Sequence, residues 1–209
     1  MAEVREVPME NIEIETRQEG EDEERVIVMY PAVFNRWSQD LGGFKERILP
    51  GAFAETIRED DIIAAFNHDS NMILGRKKPG TLELEEDSRG LRAVIRPPDN
   101  HIGGYVMDLI ERGDIDGGSF KFRIGENGKE RWNFKEGDEL DEREIEKCRL
   151  IDVGPVTHPA YPDTEADLRD NEIRSAEEIH EKAREQTDHG ESRGFSIEKR
   201  KLEIMELEN

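Results

Sequence analysis

The sequence predicts an α+β protein with a β-barrel-like core surrounded by helices, followed by an acidic tail that is helical or disordered. Three observations support this fold class. Short β-rich or alternating segments recur through the middle of the chain, turn residues separate them, and only two stretches among them have helical spacing. A fold made mostly of strands with a few inserted helices buries its apolar faces most simply in a barrel-like arrangement.

Six segments in the middle of the chain are interpreted as strands, because they are rich in β-branched and aromatic residues or alternate in polarity. Pro31 predicts a bulge or an edge position in the first of them, since proline cannot donate a backbone hydrogen bond. The Ser-Arg-Gly sequence at 88–90 predicts a hairpin turn. The six segments are Arg25–Phe34, Asp61–Phe66, Thr81–Glu85, Leu91–Ile95, Ser119–Ile124 and the long Ile145–Val156.

Two helices are predicted within this series, a short one at Ala52–Arg58 and a longer one at Ile102–Arg112. The longer segment places its apolar residues on one face at a spacing of 3.6 residues. Asp99 or Asn100 can cap its first turn, and Gly113 supplies a C-terminal stop.

The charge of the chain, −21 over 209 residues, is unevenly distributed. Residues 1–24 contain ten acidic and two basic side chains, residues 25–165 contain 28 and 20, and residues 166–209 contain 13 and eight. We therefore predict one domain over 25–165, between an acidic N-terminal arm and a charged tail. Segments 176–185 and 196–208 have helix-forming composition, so the tail is interpreted as a loosely ordered arm or as a helix that binds a partner.

Composition excludes several classes of function. The negative charge argues against direct binding to nucleic acid or to anionic membranes, because affinity for phosphate comes from lysine and arginine. No run of 18 apolar residues and no signal peptide are recognised, so a cytoplasmic protein without a membrane partner is expected. Cys148 is the single cysteine, which leaves no intrachain disulfide and argues against a cysteine zinc site.

Two residues could supply a nucleophile and its base. His68 directly follows a predicted strand, where a rigid element would hold a catalytic base in position, although a histidine in a surface turn fits the same pattern. Ser119 lies on the face of its strand opposite the aromatic residues. The preceding Gly117 and Gly118 leave room for a substrate backbone or an oxyanion hole, or they mark a hairpin before an edge strand. The tail histidines, His180 and His189, are expected to be solvated.

An acidic residue in an apolar run completes the set of candidates. Asp152 shares a strand face with Leu150, and a partly buried carboxylate there needs a partner. That partner is either a histidine ring or a structural one, Arg149 or a backbone amide. A serine nucleophile needs a base, and the base needs a third group that orients it. The chain supplies one candidate for each role, although composition alone does not establish a triad.

Five ordered segments together resemble the prohead proteases of tailed bacteriophages, which are also called capsid maturation proteases. The likeness runs from about residue 26 to residue 165 with compatible spacing, which makes it more specific than one short motif. The segments are AVFNRWSQDLGGFKERILPGAF (32–53), FNHDSNMILGR (66–76), GTLELEEDSRGLRAVIRPPD (80–99), IERGDIDGGSFKFRI (110–124) and RLIDVGPVTHPAYPDT (149–164).

The resemblance implies a serine endopeptidase whose fold is related to the herpesvirus assemblins. His68 matches the family's general base and Ser119 its nucleophile. Asp152 matches the third position, where glutamate is more usual, and His158 is the alternative by analogy with the second histidine of assemblins. Gly117-Gly118 stands where a Gly-Met pair is more common.

The resemblance also implies substrates, location and cofactor use. The expected substrates are the scaffold segment of the major capsid protein and the protease itself, cut inside the assembling prohead in the host cytoplasm. No metal or organic cofactor is expected. A non-catalytic assembly or scaffolding protein that retains the fold is the alternative function. An acidic DNA mimic would leave the ordered glycine and histidine motifs without a reason.

Overall fold

Twelve strands form three sheets in the part of the chain that the computed structural model describes, residues 2–8, 12–19, 22–137, 139–157 and 176–186. The α+β class predicted from the sequence is confirmed. The strands are β1 (Glu3–Pro8), β2 (Ile12–Glu19), β3 (Asp22–Val33), β4 (Phe44–Ile48), β5 (Ile63–Ala65), β6 (Ile73–Arg76), β7 (Leu82–Glu86), β8 (Gly90–Ile95), β9 (Gly117–Arg123), β10 (Lys129–Asn133), β11 (Asp141–Lys147) and β12 (Arg149–Val156). The helices are α1 (Thr56–Glu59), α2 (His101–Arg112) and α3 (176–186), and a 3-10 turn covers Phe66–His68.

The sheets have five, four and three strands. The strand order is β1-β9-β12-β5-β6 in the first, β2-β3-β8-β7 in the second and β10-β11-β4 in the third. Neighbouring strands run antiparallel except for two parallel pairs, β12 with β5 and β11 with β4. The two parallel pairs require long connections, and both connections contain α2 and several intervening strands. As predicted, β3 is irregular at its proline, because its register with β8 shifts between Met29 and Ala32.

The sequence predicted a barrel-like core, but the sheets do not close into a barrel among the described residues, because strand pairing does not continue around the core. The sequence predicted one long strand over Ile145–Val156, but the chain changes sheets at Cys148. The backbone N–H of Cys148 donates to the carbonyl oxygen of Ala52 at 3.0 Å instead of to a neighbouring strand. β11 therefore belongs to the three-stranded sheet and β12 to the five-stranded sheet, and the sheets pack around a shared core without closing.

The N-terminal segment also differs from its prediction. Residues 1–24 were expected to form an acidic arm outside the domain, but β1 pairs with β9 and β2 pairs with β3. Ile12 and Ile14 of β2 pack against the core. Alternation explains the difference, because a strand can expose acidic residues on one face while its other face contacts the domain.

Helix α2 forms as its sequence predicts. The Asn100 side chain accepts hydrogen bonds from the backbone N–H groups of Ile102 and Gly103 at 2.9 and 3.1 Å. Gly113 ends the helix in the left-handed conformation, with φ of 78°. Val106 and Ile110 of the apolar face are buried in the core. No helix among the described residues is long and apolar enough to cross a membrane.

Helix α3 falls on one of the two tail segments of helical composition, and it packs against the three-stranded sheet. Its His180 was expected to be solvated, but the ring stacks on Trp132 with the centroids 5.6 Å apart. His180 Nε2 lies 2.5 Å from Asp141 Oδ2, and Arg184 Nε lies 2.8 Å from the same oxygen. Burial by itself would raise the pKa of Asp141, but hydrogen bonds from Arg184, the Lys135 backbone and His180 lower it to about 2. The rest of the tail, including His189 and the predicted helix at 196–208, lies outside the described residues.

Candidate active site

Three side chains selected from the sequence lie in contact at one point of the five-stranded sheet. His68 Nε2 is 2.6 Å from Ser119 Oγ, and His68 Nδ1 makes a short contact with Asp152 Oδ1. The ring of His68 therefore lies between a hydroxyl and a carboxylate. Ser119 is fully buried and Asp152 is nearly so, while the His68 side chain is 14% exposed. His158, the alternative third residue, lies outside the described residues.

A strained turn positions His68 at the end of β5. Asn67 and His68 both have positive φ values, 50° and 55°, which non-glycine residues seldom adopt. The Asn67 side chain ties this turn to the end of β12, since its Oδ1 accepts from the backbone N–H of Thr157 at 3.0 Å. Backbone strain of this kind persists where the surroundings hold it and clusters at functional sites. Asn67 was not singled out from the sequence, although asparagine is among the non-glycine residues that adopt this conformation most often.

Ser119 lies on β9, whose alternation separates it from the core. Phe120 and Phe122 point into the core, and Ser119 lies on the opposite face, as the sequence predicted. Other parts of the protein cover this face, however, so Ser119 has no exposed surface. Gly118 before it packs closely on the core, because a Cβ there would lie 2.7 Å from Met29 Cε, and the methionine side chain would have to shift to admit it.

A β-bulge brings Asp152 to the face of Ser119. Regular alternation would place Asp152 on the same face as Leu150. In the structure, the register with β9 shifts between these residues, so that Leu150 aligns with Phe122 and Asp152 aligns with Lys121. Lys121 is on the Ser119 face of β9, so the bulge turns the carboxylate from the core side to the site.

The close approach of β5 to β12 depends on Gly154. Gly154 lies on β12 and aligns with Ser119 on the neighbouring strand β9. On the other edge of β12, the end of β5 lies close to Gly154. A Cβ on Gly154 would lie 1.8 Å from the carbonyl oxygen of Ala65. The glycine therefore permits the strand spacing that brings His68, three residues after Ala65, next to Asp152. A glycine in a strand marks such an approach, although this sequence contains 18 glycines and the signal alone does not select this one.

A buried cluster of alternating charges adjoins the site. It consists of Glu3 and Arg5 from β1, Glu46 from β4 and Arg143 from β11. Arg5 Nε lies 2.6 Å from Glu46 Oε1, and Arg143 Nη1 lies 2.9 Å from Glu46 Oε2. Arg143 Nη2 lies 3.0 Å from Glu3 Oε1. Burial opposes the charge of Glu46, but Arg5 and Arg143 more than offset it and lower the pKa of this carboxyl.

The arrangement can move a proton from a hydroxyl to an imidazole. A carboxylate that accepts from Nδ1–H leaves Nε2 free to accept the serine proton, and it stabilises the imidazolium that results. A nucleophilic hydroxyl, a general base and a third group that orients the base are an arrangement suited to acyl transfer through a serine ester. Among the described residues, no group of three or more His, Cys, Asp and Glu side chains is placed to hold a metal ion.

The search of curated proteins returned no match. One solved structure that the chain resembles is the bacteriophage T4 capsid assembly protease, gp21, with 12% sequence identity and a TM-score of 0.46. The likeness covers 76% of this chain and 98% of that chain. The model of the caudovirus prohead serine protease family matches residues 10–181. The chain therefore belongs to the caudovirus prohead serine protease family and is a serine peptidase.

Proposed function

We propose that this peptidase cleaves the scaffold segment of the major capsid protein during prohead maturation, with Ser119 as nucleophile, His68 as general base and Asp152 as the orienting acid. Membership in the family supports a capsid maturation protease in general. The observation that carries the residue roles is the His68 ring, which lies within hydrogen-bond reach of Ser119 Oγ on one side and Asp152 on the other.

The proposed reaction proceeds in two halves. Ser119 Oγ attacks the carbonyl carbon of the scissile peptide, and its proton passes to His68 Nε2. The tetrahedral intermediate collapses as the C–N bond breaks, and His68 returns the proton to the leaving amine. Water then attacks the ester with His68 again as base, which releases the new carboxyl end and restores the serine.

The negative oxygen of the intermediate needs donors that are already in place. We propose that backbone N–H groups near Gly117 to Ser119, or on a neighbouring loop, supply them. Gly117 shares the Ser119 face of β9, and its missing side chain leaves the backbone there accessible to a substrate once the face is uncovered.

Coexpression with the major capsid protein tests the proposal. Wild type is expected to shorten the capsid protein on a gel, and Ser119→Ala is expected to leave it intact. Ser70→Ala is the matched control, because Ser70 is exposed and lies two residues from His68. Cleavage that survives Ser119→Ala would refute the serine-peptidase roles. A wild-type chain that cuts nothing would instead favour the scaffolding function.

We also propose that the chain cleaves itself in the tail after about residue 165. The sequence there is polar, as sites of proteolytic nicking usually are, and most of it lies outside the described residues. Intact mass spectra of wild type should contain shortened species that Ser119→Ala lacks. Identical spectra for the two proteins would refute self-cleavage. The proposed location is the interior of the assembling prohead in the host cytoplasm.

A further inference from the structure

Thr56 is a fully buried polar residue at the start of α1, and it contacts β12 beside the bulge that presents Asp152. Its Oγ1 accepts a hydrogen bond from the backbone N–H of Leu150 at 3.1 Å and donates one to Asp60 Oδ2 at 2.7 Å. Leu150 is the residue at which the register of β12 with β9 shifts. Thr56 therefore binds the backbone of the bulge itself.

The bulge decides where the Asp152 carboxylate points, so its position along β12 has to be fixed. Ile151 is the inserted residue, since Leu150 and Asp152 align with neighbouring residues of β9. Because side chains alternate along a strand, a bulge that formed after Asp152 would leave the carboxylate on the core side with Leu150. Pairing with β9 creates the bulge, and groups along the opposite edge of β12 can hold it at one position.

That opposite edge of β12 is bound first by the α1 segment and then by β5. The backbone N–H of Cys148 donates to the Ala52 carbonyl oxygen at 3.0 Å, and the N–H of Leu150 donates to Thr56. Asp152, two residues further along, aligns with the first residue of β5. The N–H groups of alternate residues face the same edge of a strand. Thr56 thus continues the edge that β5 provides and fixes which N–H groups of β12 face it.

The Thr56 hydroxyl is oriented for this role by a closed set of contacts. Because it donates its single proton to Asp60, its lone pairs are left to accept from the backbone of β12. Asp60 is held in turn by Arg149, whose Nη2 lies 2.5 Å from Asp60 Oδ1. Arg149 and Leu150 are adjacent on β12, and Thr56 and Asp60 lie one helical turn apart. Two neighbouring residues of the strand are therefore bound by the two ends of one turn.

We infer that Thr56 is a positioning residue of the peptidase, which holds the β12 bulge so that the Asp152 carboxylate reaches His68 Nδ1. Thr56 acts on the acid through the backbone of residues 150–152. The inference rests on the proposed role of Asp152 as the orienting acid. Because that acid stabilises the imidazolium of the transition state and does not bind substrate, loss of the Thr56 hydroxyl is expected to lower kcat and to leave KM within about threefold of wild type.

Capsid-protein cleavage by Thr56→Val tests the inference, because valine keeps the shape of threonine and removes only the hydroxyl. We expect kcat to fall at least about tenfold, since a displacement of about 1 Å costs on the order of 100-fold. Thr56→Ser keeps the hydroxyl and should retain kcat within about threefold of wild type. A Thr56→Val protein with the wild-type kcat, or a Thr56→Ser protein as slow as Thr56→Val, would overturn the inference.

Thr81→Val is the matched control for this substitution. Thr81 Oγ1 also accepts from a backbone N–H, that of Arg76 at 2.9 Å, but at the turn between β6 and β7. Its loss removes the same kind of hydrogen bond away from β12, so kcat should stay within about threefold of wild type. A control as slow as Thr56→Val would show that such a loss acts by weakening the fold, and it would contradict the inference.

A double-mutant cycle with Asp152→Asn distinguishes positioning from a general loss of structure. If Thr56 acts through the acid, Thr56→Val should slow the Asp152→Asn protein by less than about threefold, although it slows wild type at least about tenfold. A merely structural residue would slow both proteins by the same factor, and that result would overturn the inference. An Asp152→Asn protein with the wild-type kcat would instead refute the proposed role of Asp152, so the two failures are distinguishable.

Proton NMR of the resting protein supplies a readout that does not require cleavage. The Nδ1 proton of a histidine bonded to a carboxylate resonates far downfield of other N–H protons, and Asp152→Asn identifies the signal by its loss. Thr56→Val is expected to move the signal upfield or to broaden it, and Thr81→Val to leave it in place. Asp60→Ala removes the acceptor that orients the Thr56 hydroxyl and should act in the same direction, which maintains the test if Thr56→Val does not fold. An unchanged signal in the folded variants would overturn the inference.

Discussion

Gly154→Ala is expected to inactivate the peptidase without removing any reacting group. An added Cβ would lie 1.8 Å from the Ala65 carbonyl oxygen and 2.8 Å from its carbonyl carbon, whereas real Cβ atoms essentially never come within 3.0 Å of such atoms. β5 and β12 must therefore move apart by roughly 1.2 Å. His68 follows Ala65 on one side of this gap, and Asp152 precedes Gly154 on the other. The base is thus displaced from its acid by about the same distance.

The expected loss follows from this displacement. A misplacement of about 1 Å costs on the order of 100-fold in rate, and overpacking a strand contact costs about 1–3 kcal/mol of stability. Two initial rates separate the loss of activity from unfolding when they are measured well below the Tm of the variant. They are the rate of Ser119 labelling by a fluorophosphonate probe and the rate of capsid-protein cleavage. The two readouts should fall together.

Gly104→Ala is the matched control for this experiment. No heavy atom lies within 4 Å of a Cβ added at Gly104. The residue is in α2, where alanine is preferred over glycine by about 0.5–1 kcal/mol, so the Tm should be unchanged or higher and the rates unchanged. A Gly154→Ala protein that retains both the wild-type Tm and a rate within about threefold of wild type would refute the argument.

Three further predictions concern charged groups. Asp152→Asn should lower kcat about 10⁴-fold with little change in Tm, because asparagine cannot stabilise the imidazolium; wild-type kinetics would exclude Asp152 as the orienting acid. Arg143→Met should lower the free energy of unfolding in urea by about 3–5 kcal/mol, because Glu3 and Glu46 would then share the single guanidinium of Arg5 and Glu130 would lose its ion pair with Arg143, whereas Arg112→Met at an exposed pair should lower it by at most about 1 kcal/mol. The pKa of Asp141 is lowered from 3.8 to about 2, so its contribution to holding α3 is complete above pH 4 and is lost as the pH falls towards 2. Trp132 fluorescence should follow this transition, and Asp141→Asn should give the low-pH signal already at neutral pH; an Asn variant that keeps the wild-type acid transition would refute the assignment.

Local signals predicted α2 and several strands, whereas α1 begins at Thr56 and not at the predicted Ala52. The cap and the glycine stop of α2 lie within the helix's own sequence, and alternation in β7, β8 and β9 reports a buried face directly. β1, β2, β4 and β10 were missed, because charged residues dominate them and their stabilising partners are distant in sequence. β6 was not among the six predicted strands either, since its four residues are too few to show alternation. The acidic β1 reads as a solvated arm until Arg143 and Glu46 are brought beside it.

The sequence by itself determined the class of fold, the family motifs and the three residues proposed to act together, since each lies in a short segment with its own pattern. Only the tertiary structure decided how they meet. Regular alternation would have turned Asp152 to the side of Leu150, and the bulge that reverses this is set by pairing with β9. Likewise, composition could not place β1 against Ser119, because the charges that hold it there come from three strands far apart in the chain. Contacts between distant segments fix the register of strands, and register decides which side of a sheet a side chain faces.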